Sequence, residues 1–392
     1  MAYFKYKGTV EASKSIMNRL AIIQAFNPAI KIKGESHCDD VVQLKKALSD
    51  FSSGKSIFDI GAAGTSLRFL AYFLSKQKGE WEIGGTSRLF SRPQQELVAS
   101  LQQLGVEASL SDSALHIKSS GKWIYEGSLL VDRSISSQFL SGIALSSWEL
   151  EKDLRLEWDN DVVSDSYFKI TLRLLEYFGM KFHIGDNHLE LYAGQAPEAN
   201  SIEAEPDMSS SFALATFAGL NGELLIEDFP AESLQPDVRF IEILENMGAK
   251  ISMNGSTLSV ASSNKLLPIE VNLLDCPDLF PVLAVLATKA NGQSKLYGAR
   301  QLIFKESNRI QKISELLSKL EIQHNIRSDG MDIFGSNITH DKAISFDCDE
   351  DHRLVFAAYL AIHMGYNLEV KGTQFVNKSF PGFVQLYHSS VS

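Results

Sequence analysis

Cysteine is scarce in this chain: Cys38, Cys276 and Cys348 stand far apart in 392 residues and form no CxxC pair. That excludes a disulfide framework and a thiolate metal site, and leaves three buried, reduced thiols as the expectation. Long apolar runs are also missing. Stretches such as Leu279 to Ala287 and Phe212 to Leu220 fall well short of the ~20 residues that cross a bilayer. Positive charge is the minority, 37 basic residues against 48 acidic ones for a formal net charge of −11. This is the wrong sign for a general nucleic-acid or anionic-membrane binder, so any anion site has to be local. The nine histidines show neither HExxH nor a regular ligand spacing, and no metal or cofactor is expected. Met1 to Lys7 runs into polar sequence without the apolar core of a signal peptide, which makes the cytoplasm the expected compartment.

What is present is ordinary globular composition, 44% hydrophobic and 22% charged, enough apolar surface to fold unaided. The length exceeds what one core organises, so two domains are expected. A weak pattern also recurs, in which a small polar cluster opens an apolar helix. It stands at Ser13-Lys14-Ser15, Gly64-Thr65-Ser66, Ser136-Ser137-Gln138, Ser209-Ser210-Ser211, Pro277-Asp278 and Asp351-His352-Arg353. The spacing is mostly close to roughly 70 residues, the mark of six copies of one unit. Gly105, Gly179 and Gly248 repeat that period at the ends of amphipathic segments, where a helix C-cap glycine belongs. Each copy then holds two helices and several strands, and two domains of three copies follow. The expected domains are 12–205, and 1–11 with 206–392, with Pro206 near the crossing.

Several of these clusters could carry chemistry. Ile57 to Arg68 reads as strand, glycine-rich turn and helix, which can aim backbone N–H groups at an anion; a tight turn that needs φ > 0 fits it equally. It is neither a Walker A nor a GxGxxG sequence, so no nucleotide is implied. Ser15 and Arg19 share one helix face with Lys14 at its mouth, where a serine N-cap and a solvated arginine are the plain alternative. Lys305, Glu306 and Arg309 could equally be a salt-bridged exposed helix. Taken together with Arg92, Arg353 and Lys378, the clusters suit a doubly anionic ligand. Asp278 and Glu306 would then be the proton-transfer groups.

In combination these strings resemble the EPSP synthase (3-phosphoshikimate 1-carboxyvinyltransferase) family along nearly the whole chain. Ser13-Lys14-Ser15-x-x-Asn18-Arg19 is similar to the family's SKSxxNR, and Gly61 to Arg68 to its GNAGTxxR. Val131-Asp132-Arg133-Ser134-Ile135-Ser136-Ser137-Gln138-Phe139-Leu140 is similar to VDGSxSSQFL, a highly specific string. Asp39-Asp40, Ser91-Arg92-Pro93, Ser164-x-x-Tyr167, Pro277-Asp278, Lys305-Glu306-Ser307-x-Arg309, Asp351-His352-Arg353 and Lys378-x-Phe380-Pro381 follow in the family's order.

The resemblance implies an α/β (α+β) fold, two domains each of three βαβαββ-type repeat units arranged like an inverse α/β barrel, with the active site in the interdomain cleft. It implies transfer of the enolpyruvyl group of phosphoenolpyruvate to the 5-hydroxyl of shikimate 3-phosphate. Lys14, Asp278 and Glu306 would be catalytic. Lys14, Ser15, Arg19, Ser136, Ser137, Gln138, Ser164, Tyr167, Asp278 and Lys305 would meet shikimate 3-phosphate. Lys14, Gly64, Arg92, Gln138, Arg309, Arg353 and Lys378 would meet phosphoenolpyruvate. The partners are these two small molecules, with no nucleic acid or membrane, and the expected state is a monomer. Glyphosate, an inhibitor of the family, is expected to act at Gly64. Ala62, Asp165, Gln301 and Asn308 depart from the family's usual Asn, Lys, Asn and Asp. Two alternatives remain open: the sister transferase acting on UDP-N-acetylglucosamine, whose lid cysteine is missing from Ser87 to Arg92, and a non-catalytic anion-binding homologue.

Overall fold

Six helices have too little polar surface to lie against water, and the computed structural model buries them. It describes residues 2–134, 136–159, 165–263, 265–336 and 341–392. All eight residues of Phe280–Ala287 are buried, and so is every residue of Gly64–Ser75 except Thr65. A helix apolar all round has to be covered on every side. Met208–Asn221 and His352–His363 are nearly as enclosed, and Lys14–Phe26 and Gln138–Leu145 complete the set of inner helices. Asp39–Ser52, Gln95–Gln103, Asp165–Tyr177, Phe240–Asn246, Arg309–Lys319 and Phe383–Ser390 each bury one stripe and form an outer set.

The chain divides into two compact units, Ala12–Ala204 and Met1–Glu11 with Glu205–Ser392. The crossing falls one residue ahead of the boundary placed from sequence. Pro206 lies inside the second unit, where its carbonyl accepts from Gln235 Nε2 at 2.8 Å.

In the first unit, strands Ile57–Asp59, Lys78–Gly84, Ala114–Ser120 and Glu107–Leu110 form one sheet in that spatial order. The first pair is parallel and the rest are antiparallel. A parallel pair needs a long crossover, and the inner helix Gly64–Ser75 supplies it. Ser128–Leu130, Leu154–Glu157, His188–Leu191 and Phe182–Ile184 repeat the pattern around Gln138–Leu145. The third copy is shorter, a parallel pair of Lys31–Lys33 with Ser201–Glu203.

The second unit has the same plan. Phe4–Gly8, Gly222–Ile226, Thr257–Ala261 and Lys250–Asn254 form one sheet, and Glu270–Asn272, Gln293–Tyr297, Gly330–Phe334 and His324–Arg327 the next. Its third copy is the parallel pair Ile344–Asp347 and Leu368–Lys371. Gly105, Gly179 and Gly248 stand just after outer helices with φ of +74°, +90° and +95°, the left-handed cap read from the sequence. The expected opening of Met208–Asn221 by its serines is displaced. The helix starts one residue earlier because Asp207 serves as its N-cap, accepting from Ser210 N at 2.8 Å. No described helix is long and apolar enough to cross a membrane. All three cysteines are free and buried.

Candidate active site

The first unit carries most of its polar machinery at the N-terminal ends of its inner helices. Lys14 opens Lys14–Phe26, and its Nζ lies 3.1 Å from Asp40 Oδ2, both groups nearly buried. Ser66 Oγ donates to the Asp40 carbonyl at 2.8 Å, which ties that pair to the helix beginning at Gly64. The two serines that could have been plain caps are not. Neither Ser13 nor Ser137, the N-cap residues of Lys14–Phe26 and Gln138–Leu145, bonds its helix through the side chain.

Arg19 is 3% exposed. It donates from Nε to Thr171 Oγ1 at 2.8 Å, from Nη1 to the Ser15 carbonyl at 2.6 Å and from Nη2 to the Tyr167 carbonyl at 2.9 Å. Burial pulls its pKa down to about 10, because neutral acceptors offset desolvation less than a carboxylate does. Its guanidinium also lies over the Phe69 ring at 5.4 Å.

Gly64 and Arg92 meet. A Cβ added at Gly64 would stand 2.7 Å from Arg92 Nη1, so the missing side chain is the space the guanidinium occupies. Gln138 is held at both ends of its amide, accepting from Arg68 Nη1 at 2.6 Å and donating to Thr65 Oγ1 at 2.9 Å. Ser136 Oγ accepts from Gln138 N at 3.2 Å. Arg68 further donates to the Pro93 carbonyl at 3.3 Å. Thus Ser15, Arg19 and Tyr167 form one linked group, and Gly64, Arg92, Ser136 and Gln138 another. Ser164 lies outside the described residues.

The second unit holds a charged cluster around Arg309, the first residue of Arg309–Lys319 and 1% exposed. It donates from Nη1 to Asp278 Oδ1 at 2.6 Å, from Nη2 to Glu306 Oε2 at 2.9 Å and from Nε to Asp351 Oδ2 at 2.8 Å. Arg353 Nη2 donates to the other oxygen of Asp278 at 2.8 Å, and Lys378 Nζ lies 3.9 Å from Glu306 Oε1. Asp351, fully buried, also caps His352–His363 by accepting from Arg353 N at 3.0 Å, and takes a bond from Ser307 Oγ at the same distance.

Burial alone would raise the Asp278 pKa. Arg353, Lys305 and Arg309 outweigh it and hold the carboxyl well below the usual range. Burial would likewise lower Arg309, but Asp351, Asp278 and Glu306 raise it above the ordinary arginine value. The cations that suit a doubly anionic ligand are therefore paired with carboxylates in this cluster. A buried guanidinium costs too much free energy without carboxylates beside it, and three surround Arg309.

Sequence reasoning assigned no role to Asp40, Arg68, Thr171 or Asp351, although Asp39-Asp40, Gly61 to Arg68 and Asp351-His352-Arg353 were visible as motifs. Only Thr171 had no signal. Two departures from the family pattern have local explanations. Asn308 caps Arg309–Lys319 by accepting from Gln311 N at 3.1 Å, a job asparagine does as well as aspartate. Gln301, buried, donates to the Leu274 carbonyl at 3.3 Å. No group of three or more His, Cys, Asp or Glu able to hold a metal ion occurs among the described residues.

Two repeat-built α/β units of this kind are the fold of solved enolpyruvyl transferases. EPSP synthase from Acinetobacter baumannii superposes with a TM-score of 0.77 at 23% identity, covering 100% of this chain and 96% of that one. The enolpyruvyl transferase NikO from Streptomyces tendae superposes with 0.75 at 13% identity, with the same coverage. Sequence narrows the class. The family model described as EPSP synthase (3-phosphoshikimate 1-carboxyvinyltransferase) matches residues 10–386. A 3-phosphoshikimate 1-carboxyvinyltransferase of Syntrophobacter fumaroxidans is 32% identical over 84% of this chain and 78% of its own length. One from Thermococcus kodakarensis is 31% identical over 95% and 94%. The chain belongs to the EPSP synthase family.

Proposed function

We propose that this chain transfers the enolpyruvyl group of phosphoenolpyruvate to the 5-hydroxyl of shikimate 3-phosphate, releasing inorganic phosphate, as a cytoplasmic monomer. The observation that carries the reading is the family match across residues 10–386, a span that contains every residue assigned a role. UDP-N-acetylglucosamine as acceptor is not favoured, since the curated relatives reported above carry the shikimate name. A non-catalytic homologue is not favoured either, because Lys14, Asp278, Glu306, Arg353 and Lys378 are all present.

Ser15, Arg19, Ser136, Ser137, Gln138, Ser164, Tyr167 and Lys305 would hold shikimate 3-phosphate. Lys14, Gly64, Arg92, Gln138 and Lys378 would hold phosphoenolpyruvate, whose carboxylate falls to Arg309 and Arg353, a geometry suited to planar anions. Asp278 takes the proton of the 5-hydroxyl as its oxygen bonds to C2, and Glu306 with Lys14 delivers a proton to C3. In the second step the C2–O bond to phosphate breaks and C3 returns its proton, which restores the double bond. Cations around both phosphates stabilise the charge that builds on the leaving group. The test is phosphate release that requires both phosphoenolpyruvate and shikimate 3-phosphate. Release with either alone, or none with both, would overturn the reading.

A further inference from the structure

We infer that Arg133 is a positioning residue for shikimate 3-phosphate, acting through Asp165. The inference rests on the proposed function. Arg133 stands where the family's VDGSxSSQFL string has glycine, and Asp165 where lysine is common, so the sequence shows two unrelated departures. The structure pairs them: Arg133 Nη2 donates to Asp165 Oδ1 at 2.7 Å.

Arg133 is not placed to touch a substrate. It is 3% exposed, with its guanidinium 4.7 Å from the Trp158 ring centre and 5.2 Å from that of Phe168. Stacking between two rings fixes the plane of the fork and leaves Nη2 a single direction. An exposed ion pair would contribute little, because side-chain entropy and water cancel it. This one has its cationic side chain only 2% exposed and its carboxylate 38% exposed, so packing sets the direction from which the guanidinium donates.

The pair joins two segments that carry assigned residues. Asp165 is the first residue of Asp165–Tyr177, where a carboxylate also suits the helix dipole. That helix supplies Tyr167, whose carbonyl accepts from Arg19, and Thr171, whose hydroxyl accepts from Arg19 Nε. On the other side, Arg133 precedes Ser136 and Ser137 by three and four residues along one short connection into Gln138–Leu145. Losing the bond frees the start of the helix relative to the serine loop. The side chains that would grip shikimate 3-phosphate then sample several geometries, and affinity drops by the fraction that are competent. Lys169, 3.0 Å from Asp165 Oδ2 on the same helix, cannot substitute, since it ties Asp165 only to its own helix.

The test is steady-state phosphate release by the full-length enzyme, with KM measured for each substrate, beside thermal unfolding. Asp165→Ala and Arg133→Met, which remove the acceptor and the donor, are expected to raise KM for shikimate 3-phosphate about tenfold, the effect of ~1.4 kcal/mol, with KM for phosphoenolpyruvate within about twofold of wild type. Asp165→Glu should stay near wild type. The double variant should be no worse than the more severe single one, since both remove the same bond. A lower melting temperature with an unchanged shikimate 3-phosphate KM would make the pair merely structural. Equal rises in both KM values, or single effects that multiply in the double variant, would overturn the inference too. Titration calorimetry with shikimate 3-phosphate alone makes the same comparison without turnover. A wild type that lacks turnover counts against the proposed reaction, and the calorimetric ratio still decides the role of Arg133.

Discussion

Arg353 reaches Asp278 across 75 residues of chain, Nη2 to Oδ2 at 2.8 Å, while the other Asp278 oxygen takes Arg309 at 2.6 Å. The carboxylate therefore stands between the two guanidiniums assigned to the carboxylate of phosphoenolpyruvate. A ligand that takes the Nη donors Asp278 now holds has to displace it, and Asp278 becomes a better base once they let go. Asp278→Asn should lower kcat by roughly 10²-fold or more. It should also tighten phosphoenolpyruvate binding measured without shikimate 3-phosphate, by about tenfold if one competing ion contact of ~1.4 kcal/mol is lost. Near-normal turnover would refute the base assignment, and unchanged affinity would refute the competition.

Gly64 and Arg92 share one space. Gly64→Ala places a methyl where Arg92 Nη1 would be 2.7 Å away, so the flexible guanidinium must move before any ligand is affected. Phosphoenolpyruvate, which Arg92 is assigned to hold, should bind somewhat more weakly. Glyphosate, expected to occupy the same space and somewhat longer than phosphoenolpyruvate, should lose more, by ~10- to 200-fold for one methyl in a tight pocket. The inhibition constant and the KM, measured in wild type and variant, check this. Equal fold changes would mean that the methyl acts through Arg92 alone.

Lys14 owes its position to Asp40, 3.1 Å away and 4% exposed. Asp40→Asn keeps the shape but removes the charge that holds the ammonium, so a fall in kcat of about tenfold is expected, with smaller changes in either KM. Turnover within twofold of wild type would show that Lys14 needs no such anchor.

His363 sets a pH dependence of stability apart from the chemistry. It is 1% exposed among the rings of Phe4, Phe217 and Tyr387, and burial pushes its pKa down to about 4. In the unfolded chain it titrates near 6.5, so between pH 6.5 and 4 the unfolded state binds a proton that the native state refuses. Stability is then lost as pH falls through that window, by roughly 3 kcal/mol from this one group. Urea midpoints at pH 7.5 and 5 should show a smaller drop for His363→Phe than for wild type. Parallel drops would remove His363 as the cause.

Much of the architecture was legible because its signals are local. A helix with no polar face must be inner, a left-handed glycine must end an outer one, and six polar clusters at a near-constant spacing must open equivalent helices. The charged residues proposed for the site could be named for the same reason, since each motif is a short string. Their partners were not. Asp40 with Lys14, Asp351 with Arg309, Thr171 with Arg19 and Arg133 with Asp165 are contacts between segments distant in the chain, and nothing in one segment specifies which carboxylate or hydroxyl folding will bring to it. The same limit hid the pairing of the site's cations: a sequence counts charges, whereas burial selects which of them must be paired. Sequence alone determined which residue types are available and which helix ends present them, because helical periodicity and caps act over a few residues. Tertiary structure alone decided that Asp278 lies between two arginines and that Arg92 fills the space Gly64 leaves, because close packing in a low-dielectric interior permits few arrangements of so many charges.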